Sequence, residues 1–199
     1  MVTDQTVMHP QGGGQPTDVG IITSSDGSIR FEVCHVQKGK GHAFIEHLGS
    51  YTCDGRFAVG DEVRIEVDAL KRRLHARLHS AGHLMDSALT NMGVSDLIPA
   101  KGYHFPDGPY VEYVGNVPPE LRDSLLSDLN QQTARLIQDA IPVNVTWNEQ
   151  GERIVNVGGT SCACGGTHVK NTSDIRGVLA TKIKKNKNCV RISYVLNDS

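Results

Sequence analysis

Arg77-Leu78-His79-Ser80-Ala81-Gly82-His83-Leu84-Met85 is the stretch from which the rest of the chain is read. Leu78, Ala81 and Met85 recur at the helical period. The stripe extends back to Leu74 and on to Leu89 and Met92, which predicts an amphipathic helix with one apolar face. Asp68 suits its N-cap and Gly93 the position just past its end. His79 and His83 stand at i and i+4. Their imidazoles therefore leave the helix one turn apart, about 120° from the middle of the apolar stripe, where they can grip one ion while the helix packs on a sheet.

A second stretch answers the first. In Cys162-Ala163-Cys164-Gly165-Gly166-Thr167-His168-Val169, Cys164 and His168 share the spacing of the histidine pair. Gly165-Gly166 breaks any helix there, so this half reads as a loop whose glycines let the backbone close around a ligand. Three imidazoles and a thiolate are donors that zinc prefers. The pattern is not that of a zinc finger, whose first pair is normally two cysteines. Nor is it His-Glu-x-x-His, because Ser80 stands where that motif has its general base. The His-x-Glu and Pro-Cys-x-x-Cys signature of nucleobase deaminases is also absent. Four protein donors would fill a tetrahedron and make the ion structural, whereas three would leave a place for water or substrate. Cys162 stands two residues from Cys164, which leaves one of the two as a spare or alternate donor.

The 199 residues allow one or two domains with a core of ordinary size. Five irregularly spaced cysteines argue against a disulfide framework and for a reducing compartment. No apolar run approaches the ~20 residues of a membrane span. Met1-Val2-Thr3-Asp4-Gln5 lacks the basic start and apolar core of a signal peptide, so a cytoplasmic protein is expected. A net charge of −2 neither implies nor excludes a nucleic-acid partner, because local patches decide. Two patches stand out: Lys71, Arg72, Arg73 and Arg77 at the start of the helix, and Lys182, Lys184, Lys185 and Lys187 with Arg191 near the end of the chain. A solvated face is the ordinary reading of such clusters, and RNA phosphate contact the sharper one.

The fold class expected is α+β. Residues 19–24, 28–37, 42–48 and 62–67 read as short strands with turn residues between them, which suggests a small barrel. Ahead of them, His9-Pro10-Gln11-Gly12-Gly13-Gly14-Gln15-Pro16-Thr17-Asp18 can only be a loop, with a backbone able to approach something closely. His35, His42 and His47 have no ligand spacing and read as surface or structural residues. His75 reads as a surface residue, with a place beside the site or facing RNA as the alternatives. After the helix come a hairpin, 102–106 and 109–114, turning at Asp107-Gly108, and a helix over 120–140 opened by Pro118-Pro119 and stopped by Pro142. A strand over 142–148 and a final pair over 177–184 and 188–196 complete the reading.

The run His9 to Gly20, the Arg77–Met85 stretch and Cys164-Gly165-Gly166-Thr167-His168-Val169, in this order, closely resemble the editing domain of alanyl-tRNA synthetase. More particularly they are similar to its free-standing relatives, the AlaX-type trans-editing proteins. The likeness covers nearly the whole chain, from about Asp4 to Val195. It implies a small N-terminal β-barrel over 1–67 that carries the Gly-rich loop. It also implies a two-layer α/β editing core over 68–199, an antiparallel sheet packed by helices, of the kind found in many threonyl-tRNA synthetases. His79, His83, Cys164 and His168 then hold one zinc ion, and the partner is the acceptor end of tRNA(Ala) carrying a wrong amino acid. His9 replaces the usual aromatic residue, and most of the family's opening strands before Asp4 are not seen, so the barrel is expected to be incomplete. No aminoacylation motif or long oligomerisation helix is present, so a monomer that deacylates without charging is expected.

The reaction so implied is hydrolysis of Ser-tRNA(Ala), and of Gly-tRNA(Ala), in trans. Zinc would polarise the ester carbonyl, lower the pKa of a water, or orient the substrate. Asp86, one turn beyond His83, is the nearest carboxylate and is placed behind the ligands rather than as a base. A site that hydrogen-bonds the serine hydroxyl rejects alanine by up to ~10⁴. Of the polar candidates Gln15, Ser80 and Thr167, the first and last are preferred because they flank glycines. The expected substrate-binding set is therefore Gly12, Gly13, Gly14, Gln15 and Thr167. Two alternatives stay open: a zinc-stabilised RNA-binding module without catalysis, and a zinc hydrolase acting on a small ester or amide.

Overall fold

The computed structural model describes residues 1–197, apart from the side chain of His42. The chain is α+β and divides into two compact units. One is Met1–Gly12 with Pro16–Leu74; the other is Gly13–Gln15 with the chain from His75 onward. Gly13, Gly14 and Gln15 thus belong with the second unit, although they are read among the first residues of the chain.

The first unit is one antiparallel sheet of β1 (Gly20–Ser24), β2 (Arg30–Lys38), β3 (Ile45–Tyr51) and β4 (Val63–Val67), in the order β3-β2-β1-β4. Phe31 and Val33 alternate inward against Ile22 and Met8. An irregularity between Val33 and His35 then shifts the register against β3, and Val36 takes the inward position in place of His35. A closed barrel, expected from the strand spacing, is not found among the described residues: β3 and β4 are the ends of an open sheet. Four short strands with ordinary twist do not bring the two edges together. His47 is fully buried, with Nε2 2.8 Å from Thr6 Oγ1 and Nδ1 without a hydrogen-bond partner. His42's side chain lies outside the described residues. Asp18, also buried, accepts the Arg72 guanidinium on both carboxylate oxygens.

α1 (Ala69–Asn91) starts in the first unit and continues in the second. Its ends follow from the sequence. Asp68 Oδ1 accepts the Leu70 and Lys71 N–H groups at 3.0 Å each. At the other end the Val94 N–H reaches the Leu89 carbonyl at 3.0 Å across Gly93, whose φ of +73° only glycine adopts freely.

The second unit's main sheet joins β5 (Ile98–Tyr103), β6 (Tyr110–Val114), β10 (Val178–Asn186) and β11 (Cys189–Leu196) in the order β10-β11-β6-β5. The second helix, α2 (Arg122–Gln138), packs on β10. The β10 register shifts between Ala180 and Lys182, and the Asn130 amide meets both the Ala180 N–H and carbonyl, at 2.7 and 3.0 Å. A smaller sheet, β7 (Asn144–Trp147), β8 (Arg153–Val157) and β9 (Thr160–Ala163), is ordered β7-β8-β9. One apolar cluster joins Leu78, Ala81, Leu84, Met85 and Leu89 of α1 to Tyr113, Ile192 and Tyr194 of the main sheet, Leu129 and Leu136 of α2, and Val155 and Val157 of β8. Each fully buried Leu or Ile there contributes about 2 kcal/mol. Leu74 and Met92, the ends of the expected stripe, are not in this core. His75, read from the sequence as a surface residue, is buried at 7% exposure, because α1 is enclosed on more than one side from His75 onward. No described helix is long and apolar enough to cross a membrane.

Candidate metal centre and its cleft

His79 and His83 come from the middle of α1. Cys164 and His168 come from the loop that follows β9, and the four are the donors the structure brings together. One ligand atom from each lies within 4.8 Å of all the others. Cys164 Sγ is 3.5 Å from His79 Nε2 and 3.3 Å from His168 Nε2. His83 Nε2 is buried with no hydrogen-bond partner among the described residues, an orphan that an ion would satisfy.

The other ring nitrogens are turned to partners. His79 Nδ1 is 2.8 Å from Gln15 Oε1, and His168 Nδ1 is 3.3 Å from Ser80 Oγ. His83 Nδ1 lies 3.3 Å from Cys162 Sγ and 3.7 Å from Asp86 Oδ2. Partners on Nδ1 orient each ring and leave its Nε2 as the lone-pair donor, as metal-ligating histidines require. The residues present therefore fit a tetrahedral ion with nitrogen and sulfur ligands. Burial disfavours charge on His83, but the Asp86 carboxylate and the Cys162 and Cys164 sulfurs outweigh it and hold the imidazole well above its ordinary value. Burial likewise pushes the Cys164 thiol up, yet His83, the Gly166 N–H and Arg153 together bring it below its ordinary value. A thiol on its way to thiolate is what a metal needs.

The loop glycines have a concrete reason. A Cβ on Gly166 would come 2.1 Å from His79 Cε1, so the loop reaches the ring only without a side chain there. Two loop-to-helix contacts hold the approach: Val169 N–H donates to Ser80 Oγ at 3.1 Å, and Thr167 N–H donates to Gln15 Oε1 at 2.8 Å. The β8–β9 hairpin, which delivers Cys162 and Cys164, was not among the expected elements. Its signal was Gly158-Gly159 between Val157 and Thr160, a two-residue turn with both φ positive, at +71° and +114°.

Beside the cluster opens a cleft of about 320 Å³, lined by His79, His83, Asp86, Cys162 and Cys164 and by a second rim of Gly13, Lys101, Gly102 and His104. Of the five residues expected to bind the amino acid, Gly13 is in that lining. Gly14 presses on β5, where a Cβ would meet the Gly102 carbonyl oxygen at 2.4 Å, and a Cβ on Gly12 would meet the Pro10 carbonyl oxygen at an ordinary 4.0 Å. Gln15 is fully buried, and its amide is used on three partners, since Nε2 also donates to Thr167 Oγ1 at 2.9 Å. Both side chains thus stand behind His79.

His104 is the site residue that sequence reasoning missed, since no spacing relates it to the metal pairs. It is 4% exposed and stacks on His79 at 4.6 Å between ring centroids. Burial, with the nearby His83 charge, depresses its pKa to about 3, so it is neutral at neutral pH. Of the basic residues expected at RNA, Lys71, Arg73, Lys182, Lys184, Lys185 and Lys187 are exposed. Arg72 is engaged with Asp18 and the Val7 carbonyl, and Arg77 with the Ile175 carbonyl at 3.0 Å.

Comparison with known proteins narrows the class. Residues 153–193 match the family model described as the threonyl and alanyl tRNA synthetase second additional domain, and residues 1–71 match that of the class II (A) tRNA synthetases. Alanine–tRNA ligase of Neisseria meningitidis serogroup C (strain 053442) is 34% identical over 88% of the chain, and that of Clostridioides difficile is 31% identical over 88%. The chain spans about a fifth of the length of these ligases, 22% and 21%. It is also 30% identical, over its whole length and 89% of the relative, to the alanyl-tRNA editing protein AlaX-M of Methanosarcina barkeri. The chain belongs to the AlaX family of alanyl-tRNA editing proteins.

Proposed function

We propose that this protein hydrolyses, in trans, the ester between tRNA(Ala) and a wrong amino acid, serine first and glycine second, with one zinc ion held by His79, His83, Cys164 and His168. The observation that carries the reading is the convergence of these four donors on a cleft large enough for an aminoacyl end. Bound there, zinc supplies a Lewis acid to a carbonyl that is already activated as an ester.

The chain's own residues do the rest. Gln15, Ser80 and Asp86 orient the three imidazoles. Gly13 and Gly102 leave room for the ester to approach, and the Lys101 side chain brings positive charge to the rim where the terminal nucleotide enters. Lys182, Lys184, Lys185 and Lys187, all exposed on β10 and the turn after it, are the candidates for RNA phosphates. The proposed division of labour makes residues 1–67 a β-sheet domain, except that Gly13–Gln15 serve the second unit, and makes the remainder the editing domain of a monomer in the cytoplasm.

Deacylation of Ser-tRNA(Ala) and Ala-tRNA(Ala), side by side, by wild type and Cys164→Ala tests the reading. Loss of serine alone, abolished in the variant, is expected. The convergence of four donors also favours a second reading, a closed structural ion in a non-catalytic RNA-binding module. One zinc per chain with neither ester hydrolysed would establish that instead.

A further inference from the structure

We infer that His104 holds the amino-acid end of the substrate, by accepting at Nε2 a hydrogen bond from an O–H or N–H donor on it. This deepens, and rests on, the editing function proposed above.

A chain of contacts sets the tautomer. Tyr194 Oη donates its one proton to the Leu78 carbonyl at 2.9 Å. With that proton spent, the hydroxyl can only accept from His104 Nδ1, 2.7 Å away. Nδ1 therefore carries the ring proton, and Nε2 keeps a lone pair. Tyr194 is itself 1% exposed, so the relay is shielded from exchange with solvent groups.

The ring is also fixed in place. It stacks on His79, and its backbone N–H is held by the Gly14 carbonyl at 2.8 Å. A Cβ at Gly82 would come 2.4 Å from Cε1, and one at Gly14 would come 3.2 Å from Cδ2. Glycines on two sides thus let α1 and the Gly-rich loop close directly on the imidazole. A third glycine does something different. Nε2 looks past the Cα of Gly102, where a Cβ would come within 2.3 Å and cover it, and both residues line the cleft. Among the described residues Nε2 has no hydrogen-bond partner. The fold therefore spends a buried tyrosine and three glycines to present one oriented lone pair beside the metal donors.

Donors that fit this acceptor are the α-ammonium group, common to all aminoacyl esters, and the serine hydroxyl, absent from alanine. The test uses the zinc-loaded full chain with His104→Asn, whose amide can stand in for Nδ1 and keep the Tyr194 contact, and His104→Gln, whose amide reaches the place of Nε2. Two readouts are taken: kcat/KM on Ser-tRNA(Ala), and Kd for non-hydrolysable 3′-seryl-amido and 3′-alanyl-amido adenosine, with zinc content measured in each protein. For His104→Asn about a tenfold loss in both is expected at unchanged zinc content, as for a lost hydrogen bond, with most of it recovered in His104→Gln. A loss confined to the seryl ligands assigns the hydroxyl, and an equal loss on both assigns the ammonium; either supports the contact. Wild-type binding and turnover in His104→Asn would overturn the inference alone. So would a loss that follows zinc content and is not recovered by Gln. A wild-type protein that neither binds the analogues nor hydrolyses the ester would overturn it together with the function it rests on.

Discussion

Gln15 Oε1 lies 2.8 Å from His79 Nδ1 and 2.8 Å from the Thr167 backbone nitrogen. One buried amide therefore ties the histidine pair on α1 to the Cys-Gly-Gly-Thr-His loop, and it does so from a third place in the chain.

If that amide orients the metal ligand, Gln15→Ala lowers zinc affinity about 10- to 100-fold, the usual cost of losing such a partner. Gln15→Glu, which keeps an acceptor for Nδ1–H, restores part of it. Competition with a chelator measures both. Equal affinity in wild type and Gln15→Ala would show that the amide serves packing alone.

Zinc that binds the folded chain stabilises it by mass action. Chelation is expected to lower the Tm of wild type and to leave Cys164→Ala nearly unchanged, because that variant has lost the thiolate. The comparison is read by thermal denaturation with and without chelator, and an equal drop in both proteins would count against Cys164 as a ligand.

Gly82→Ala places a methyl 2.4 Å from Cε1 of His104, a ring held by its contacts to Tyr194 and His79. A destabilisation of about 1–3 kcal/mol is expected from overpacking. Gly108→Ala, where nothing lies within 4 Å, is the control on a turn. Urea unfolding of the two variants separates a packing effect from the ordinary cost of replacing glycine.

His47 gives the first unit a pH dependence of known sign. Burial is the main cause that lowers its pKa below the ordinary 6.5, and it outweighs the Met1 backbone contact that favours the proton. A lowered folded-state value means that the unfolded chain binds the proton more readily. This contribution to stability is therefore complete above pH 6.5 and is lost as pH falls through the folded-state value. His47→Gln should flatten that part of the profile, as followed by urea midpoints between pH 7.5 and 5; an unchanged slope would remove His47 as its source.

Exposed lysines at an RNA interface should act through counterion release. Each of Lys184→Ala and Lys185→Ala is expected to weaken tRNA binding and to reduce the slope of log K against log salt by about 1. Arg77→Ala, whose guanidinium is engaged with the Ile175 carbonyl, should act on stability more than on that slope. An RNA affinity that ignores salt would exclude a phosphate interface altogether.

Local chemistry made much of this protein legible from its residues. The i, i+4 spacing of His79 and His83, the Asp68 cap, the Gly93 terminus and the Gly-Gly loop before His168 are short-range features. A helix or a turn forms them in nearly the same way in any surroundings, so α1 and the four side chains that converge beside it are legible in the sequence. The β8–β9 hairpin is equally local, and Gly158-Gly159 marks it.

Only the tertiary structure decided what lies farther apart. The open edges of β3 and β4 depend on strand number and twist summed over a sheet, and no single strand encodes closure. His75 is buried because α1 is enclosed on more than one side from that residue onward, which its own periodicity does not report. Gln15 stands behind His79, and His104 in the cleft, through contacts between residues many tens of positions apart. Their chemistry is set by which neighbour takes each donor and acceptor, and the sequence around them carries no period or motif for that.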